Sequence, residues 1–259
     1  MAELNGSPVA PDALQALGLL NYGHFTSMRV DGRAVRGLSH HLDRLAHDCR
    51  VLFDVDLDRE RVRHYIRKAI ADMSGVFVVR VTVFDPGMEL SHPSEAAAPA
   101  VLVTTRGAGQ WPPSPMRVQT VTYSRELPEV KHVGLFGAVL SRRNAQFNGY
   151  DDALFVDSAS FVAEGATWNV GFFDGERVVW PSAPVLTGVT MRLIKQVYDD
   201  TMTIPVAMKD LPHMHAAFAT NTAIGVRPIR AIDDLELPGE HPIFDTLRKQ
   251  YEEIPAEHL

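Results

Sequence analysis

Cysteine is almost absent from this sequence. Cys49 is the only one in 259 residues, so no intrachain disulfide can form and no thiolate metal cluster can be built. Long apolar runs are missing as well: no stretch approaches the ~20 residues that a membrane-spanning helix needs. The opening residues, Met1-Ala-Glu-Leu-Asn-Gly6, have neither a basic region nor an apolar core and do not read as a secretory leader. Positive charge is in the minority. There are 25 Lys and Arg against 32 Asp and Glu, a formal net charge of -7, which argues against non-specific nucleic-acid binding. There is no P-loop, and Gly107-Ala-Gly109 runs into prolines instead of a helix, so it is no dinucleotide fingerprint. His40-His41 and His213-Met-His215 lack a third ligand at metal-binding spacing, and no metal is expected. No internal repeat is visible. The expectation is a reduced, cytoplasmic globular protein with neither nucleic acid nor membrane as partner.

What is present is a core-forming pattern. The chain is 46% hydrophobic and 22% charged, enough for one large core or two modest ones. Residues 1 to about 35 read as short strands, with Asn5-Gly6 and Asp31-Gly32 as hairpin turns around Tyr22–Val30. Ser39 opens a helix with Leu42, Leu45, Ala46, Cys49 and Leu52 on one face. A second helix carries Val62, Tyr65, Ile66, Ala69, Ile70 and Met73. Gly75–Phe84 is the clearest strand. Phe77, Val79, Val81 and Val83 share one face, and Arg80 lies on the other among apolar neighbours. An arginine there is either solvated on an open face or paired with an anion. After a strand at Ala100–Thr105, Gly107–Pro115 is the one strong linker signal in the middle of the chain.

The second half alternates strands with helices around Lys131. That lysine follows a proline-containing turn and precedes a helix over Leu135–Phe147, with Phe136, Val139, Leu140 and Phe147 on roughly one face. Asn148-Gly149 stops it. Asp151–Asp157 reads as a short buried strand. Asp174-Gly175 marks a hairpin, Thr187–Thr190 starts a helix, and Ala216–Thr220 and Val226–Ile229 flank a turn. A last helix holds Ile243, Phe244, Leu247 and Tyr251.

Lys131, the helix after it, Gly149-Tyr-Asp-Asp-Ala-Leu-Phe-Val-Asp157, Glu164-Gly-Ala-Thr-Trp-Asn169 and Leu186-Thr-Gly-Val-Thr-Met-Arg-Leu-Ile194 together resemble, in the same order, the fold-type IV class of pyridoxal 5'-phosphate (PLP) enzymes. That class includes branched-chain and D-amino-acid aminotransferases and aminodeoxychorismate lyase. The resemblance implies an α+β fold of two α/β subdomains joined by a short Pro/Gly-rich loop. Residues 1–108 would form the first, 109–116 the linker, and 117–259 the second, carrying the Schiff-base lysine. It also implies PLP as cofactor, an amino acid and a 2-oxo acid as substrates, and a homodimer.

Residue by residue, Lys131 matches the Schiff-base lysine; by itself it reads as a surface lysine after a turn. Glu164 matches the carboxylate at the cofactor ring nitrogen; by itself it is an acid at a strand end. Val189 and Thr190, at a helix N-terminus where free N–H groups favour an anion, match part of the phosphate site, with Thr222 and the Arg44 of His41-Leu-Asp-Arg-Leu45. Taken singly, these read as a helix cap, a turn residue and a solvated helix charge. Arg80 matches an arginine that helps hold the substrate carboxylate in branched-chain enzymes, although an internal salt bridge is the competing reading. Tyr22, Phe25 and Arg29 fall in the segment lining the substrate pocket, or pack the core.

Phe25-Thr-Ser27 stands where branched-chain enzymes carry Phe-Glu-Gly, and Phe136 stands where they place a tyrosine. Phe25–Val30 and Lys131-His132 are similar to aminodeoxychorismate lyase, and Leu247–Tyr251 to D-amino-acid aminotransferases. The expected activity is therefore transamination. A lyase that releases pyruvate by β-elimination and a PLP-fold binding protein without turnover are the alternatives.

Overall fold

The computed structural model describes residues 1–259 and forms two compact units, each built on its own sheet. Unit 1 comprises Met1–Ala108, Val130–Gly134 and Ala256–Leu259; unit 2 comprises Gly109–Glu129 and Leu135–Pro255. Lys131, expected in the second subdomain, therefore groups with the first. The reason is main-chain pairing. The Phe25 N–H donates to the Lys131 carbonyl and the Val133 N–H to the Gly23 carbonyl, both at 2.9 Å, with His24 bridging His132.

Unit 1 contains β1 (Ala2–Leu4), β2 (Ser7–Pro8), α1 (Gln15–Leu20), β3 (His24–Asp31), β4 (Ala34–Val35), α2 (Leu38–Phe53), α3 (Arg59–Ala69), β5 (Val76–Phe84) and β6 (Ala100–Gly107). The helix α1 interrupts a region expected to be all strand. Gln15-Ala-Leu-Gly-Leu-Leu20 has no β-branched residue and is rich in good helix formers. Both expected hairpin turns form, with positive φ at Asn5, Gly6 and Gly32. β3 pairs antiparallel with β5, and β5 with β6. Period-2 alternation sends Met28, Val30, Phe77, Val79, Val81, Val83, Val101 and Val103 to one face. There they form one core with Leu45 and Cys49 of α2 and Val62 and Ile66 of α3. The Asp58 carboxylate caps α3 by accepting from the Arg61 N–H at 3.0 Å, which satisfies one of the orphan donors of the first turn.

Unit 2 contains β7 (Met116–Thr122), α4 (Phe136–Phe147), β8 (Asp152–Val156), β9 (Val162–Gly165), β10 (Asn169–Phe173), β11 (Val178–Pro181), α5 (Val189–Val197), β12 (Thr201–Ile204), β13 (Ala216–Asn221), β14 (Gly225–Ile232), β15 (Leu235–Glu236) and α6 (Pro242–Glu253). Its sheet runs β12-β11-β10-β13-β14-β7-β8-β9, with β15 attached to β14. β7 and β8 are parallel, and α4 is the crossover helix that parallel pairing demands. The final strand, β16 (Glu257–His258), belongs to unit 1 and pairs with β4. No helix is long and apolar enough to cross a membrane.

The apolar face expected for α4 does not face the core. Phe136, Val139, Leu140 and Phe147 are exposed, Phe136 by 77% and Phe147 by 71%, whereas Ala138, Ser141 and Ala145 are buried. Small side chains let α4 approach β8 closely, and the large apolar residues are left on the outside.

Candidate active site

In unit 1 the site candidates lie on β3, β5, α2 and the Lys131 segment. The face of β3 and β5 turned away from α2 and α3 carries Phe25, Ser27 and Arg29 beside Thr82, Arg80 and Val78, in register. The Arg80 guanidinium stacks on the Phe25 ring at 3.6 Å, and Lys131 Nζ lies 4.9 Å from the centroid of that same ring. Phe25, Arg80 and Lys131 are thus brought together. Arg80 Nε also donates to Thr82 Oγ1 at 3.2 Å. Tyr22 does not join this group: its hydroxyl donates to the Leu52 carbonyl at 2.9 Å and its ring meets Phe53 edge-on. Arg29 sits opposite Val78 and is half-buried.

The main chain of Lys131 is held on both sides. Its carbonyl accepts from Phe25, and its N–H donates to Asp48 Oδ2 at 3.0 Å. Asp48 is fully buried on α2. Burial raises its pKa against the lowering effects of His47, the Lys131 N–H and Arg44. Four residues earlier, Arg44 donates to Thr26 Oγ1 and lies 3.3 Å from His41 Nδ1, while Thr26 Oγ1 and His41 Nδ1 are 2.7 Å apart. Because a guanidinium can only donate, the Thr26 proton goes to His41 Nδ1. Burial, then Arg44 and Lys131, hold His41 well below the usual imidazole range. His24, enclosed next to Phe53, is lowered to about 3 by burial and Arg44. Both imidazoles are therefore neutral around the lysine segment.

Unit 2 carries the other candidates. Glu164, on β9, forms an ion pair with Arg125 at 2.7 Å, and each side chain is only 5% exposed. Nearby geometry is fixed by a second buried acid. Asp152 accepts from Arg142 Nε and Nη2 at 2.9 and 2.8 Å and from Trp168 Nε1 at 2.9 Å, while Arg142 also donates to Thr167 Oγ1 at 2.7 Å. This network orders the turn between β9 and β10. Asn169, at the start of β10, then shapes the N-terminus of α5. Its Nδ2 donates to the Leu186 carbonyl at 2.7 Å and its Oδ1 accepts from the Gly188 N–H at 3.0 Å. A Cβ on Gly188 would collide with that Oδ1, so the position requires glycine.

Val189 and Thr190 follow as the first residues of α5, both buried. No side chain caps this helix. Thr190 Oγ1 is buried without a hydrogen-bond partner, and so is Thr220 Oγ1, on β13 directly opposite Asn169. Orphaned buried hydroxyls cost stability unless something binds them. Two such hydroxyls together with the uncapped N–H groups of a helix N-terminus suit an oxyanion. The phosphate of PLP presents acceptors of that kind, so the residues present fit the expected group. Thr222 is half-buried in the β13–β14 turn, which Asn221 builds by accepting from the Ala223 and Ile224 N–H groups and donating to the Thr167 carbonyl.

Sequence reasoning missed Asp48, Arg125 and Thr220. Asp48 had a signal: a lone acid on the apolar face of α2, one turn after Arg44. Thr220 was visible only as a strand residue, and Arg125 only as one charge in a polar turn.

The sequence model of the family described as Amino-transferase class IV matches residues 23–232. A probable branched-chain-amino-acid aminotransferase of Rickettsia felis is 30% identical over 128 residues, 46% of this chain and 44% of the relative. The chain thus matches less than half the length of that curated relative. The branched-chain aminotransferase of Thermoproteus uzoniensis, solved with norvaline, superposes with a TM-score of 0.87 at 18% identity, covering 97% of this chain and 93% of that one. A hypothetical aminotransferase from Mycobacterium tuberculosis, in its PLP-bound form, gives 0.81 at 19% identity, covering 97% of each chain. These likenesses show the fold.

Proposed function

Because the chain belongs to the class IV amino-transferase family, we propose that it is a PLP-dependent aminotransferase moving an amino group between an amino acid and a 2-oxo acid. The observation that carries the reading is the two-sided clamp on the Lys131 main chain, by buried Asp48 and by Phe25, within the matched region. PLP supplies an aldehyde that condenses with amines and a ring that withdraws electrons from the substrate α-carbon. Lys131 would hold the group through its ε-amine. With substrate bound, the Lys131 amine would move the proton at the substrate α-carbon. Glu164, fixed by Arg125, would keep the ring nitrogen protonated. Thr190, Thr220, Thr222 and the N–H groups of Val189 and Thr190 would bind the phosphate, and Arg44 is the further cationic candidate that the family resemblance names. Arg80, on the Phe25 ring, orients the substrate carboxylate, and Arg29 lines the same sheet face.

The functional unit in this reading is a homodimer. The exposed Phe136, Val139, Leu140 and Phe147 of α4 form an apolar face of the sort that marks association. Sedimentation at micromolar concentration should give a dimer; a fully active monomer would remove this part of the reading.

The test of the activity is a panel of amino acids incubated with the protein carrying its cofactor. Without an acceptor, each reactive amino acid should release one equivalent of 2-oxo acid per chain. Adding a second oxo acid should make release continuous. Pyruvate released from aminodeoxychorismate with no need of an acceptor would establish the lyase instead, and no product across the panel would favour a binding protein.

A further inference from the structure

The N-terminus of α5 is fixed from outside the helix. A side chain that caps a helix ordinarily accepts from the N–H groups of its first turn and so uses one of them up. Asn169 does not. Its Oδ1 takes the Gly188 N–H at 3.0 Å and its Nδ2 donates to the Leu186 carbonyl at 2.7 Å, both ahead of the helix. The first N–H that the α5 ladder claims is that of Arg192, onto the Gly188 carbonyl at 3.0 Å. Asn169 thus sets the direction of the Val189, Thr190 and Met191 N–H groups without consuming any of them.

Gly188 shows how closely the two are fitted. Its φ of -68° and ψ of 149° are open to any residue, so its backbone does not demand glycine. The amide does, because a Cβ there would collide with Asn169 Oδ1. Asn169 is 5% exposed and pairs with Thr220 across β10 and β13. Thr190 Oγ1 and Thr220 Oγ1, both buried, have no hydrogen-bond partner, and the first turn of α5 holds no acid. Two orphaned hydroxyls, a row of directed N–H donors and a neutral amide where a carboxylate would fit equally well share one corner of unit 2. That combination suits an oxyanion.

We propose that Asn169 is a positioning residue for the phosphate of PLP: it acts through α5, holding the Leu186–Gly188 bend so that the first-turn N–H groups and the Thr190 hydroxyl serve one anion. This rests on the PLP-dependent reading. The neutrality of the amide is part of the role, since a carboxylate at the same place would set a negative charge against the phosphate.

The test titrates the cofactor-free full chain with PLP and with pyridoxal, which has the same aldehyde and ring but no phosphate. Asn169→Ala should lower PLP affinity about 10- to 100-fold, the worth of one charge-assisted hydrogen bond, and leave pyridoxal affinity unchanged. Asn169→Asp keeps the shape and the acceptor for Gly188, and should lower PLP affinity at least as far. Gly188→Ala, which pushes the amide aside, should repeat the Asn169→Ala result, and should add little to it when the two are combined. A merely structural role would weaken both ligands alike. That outcome, a preference for PLP that Asn169→Ala and Gly188→Ala leave intact, or an Asn169→Asp chain that binds PLP as the parent does, overturns the proposal. Should Asn169→Ala not fold, Gly188→Ala and Asn169→Asp still decide. Failure of the parent chain to bind either ligand defeats the PLP-dependent reading itself and the proposal with it. A parent that prefers PLP, with variants that keep the preference, defeats only the role of Asn169.

Discussion

The two units treat their buried arginines differently. In unit 2, Arg125 and Arg142 each meet a carboxylate, Glu164 at 2.7 Å and Asp152 at 2.8 Å. In unit 1, Arg80 lies half-buried on an aromatic ring with no acid, two residues along the sheet from the Arg106 row. A paired guanidinium fixes structure, because its partner is always there. An unpaired one is tolerated where a ligand supplies the missing charge. The difference separates residues that should matter for folding from those that should matter for substrate.

The largest effect expected is on the lysine itself. Lys131→Ala should lower turnover by more than about 1,000-fold, since it removes both the cofactor-binding amine and the proton carrier. Its main-chain bonds to Asp48 and Phe25 remain, so the melting temperature of the cofactor-free protein should stay near that of the parent. Measurable turnover with a retained cofactor adduct on another lysine would defeat the assignment.

Arg80→Gln sharpens the contrast between the units. Loss of a charge-assisted carboxylate contact costs on the order of 2–4 kcal/mol, or about 30- to 1,000-fold in kcat/KM. Stability should be unchanged or improved, because a buried unpaired charge is removed. Unaltered amino-acid kinetics, or an unfolded variant, would make Arg80 structural. Arg142→Met should do the opposite. It leaves Asp152 without its cation, held by Trp168 Nε1 and the Ala153 N–H alone, and loosens Thr167, costing about 1–3 kcal/mol, or roughly 2–12 °C in Tm for a chain of this length. A Tm within a degree of the parent would show that Asp152 finds another partner.

The contrast between paired and unpaired arginines was only half legible in the sequence. Arg80 declared itself, because strand alternation set a charge among Val78, Thr82 and Phe84. Arg106 did not, since its relation to Arg80 exists only through β5–β6 register, which periodicity alone does not fix. The helices show the same limit. α2 buries the face its pattern predicts, because large apolar residues at Leu42, Leu45 and Cys49 meet a sheet. α4 has an equally apolar stripe and exposes it, because Ala138, Ser141 and Ala145 are what fit against β8. In α4 hydrophobic periodicity marks a stripe that the chain itself leaves exposed. The Arg125–Glu164 pair was hidden for a related reason: the two are 39 positions apart in sequence and meet only through the fold.

The smallest effect concerns Asp48, the buried acid that holds Lys131, and it tests whether unit 1 contains structural charge as well as unpaired charge. Burial outweighs the favourable contacts from His47, the Lys131 N–H and Arg44, so its folded pKa lies above the usual aspartate value. The sign follows from linkage. Below the ordinary aspartate value both states are protonated and the group contributes nothing; between that value and the raised folded one the unfolded chain ionises while the native state keeps its proton, so stability falls, and above the folded value the loss is complete. Asp48→Asn keeps a carbonyl oxygen to accept from Lys131 and has no proton to lose. The variant should therefore melt above the parent at neutral pH, with the gap closing as pH is lowered toward 4. If the gap instead widens on acidification, the ionised carboxylate is stabilising, and Asp48 anchors Lys131 by charge and not only by hydrogen bonding.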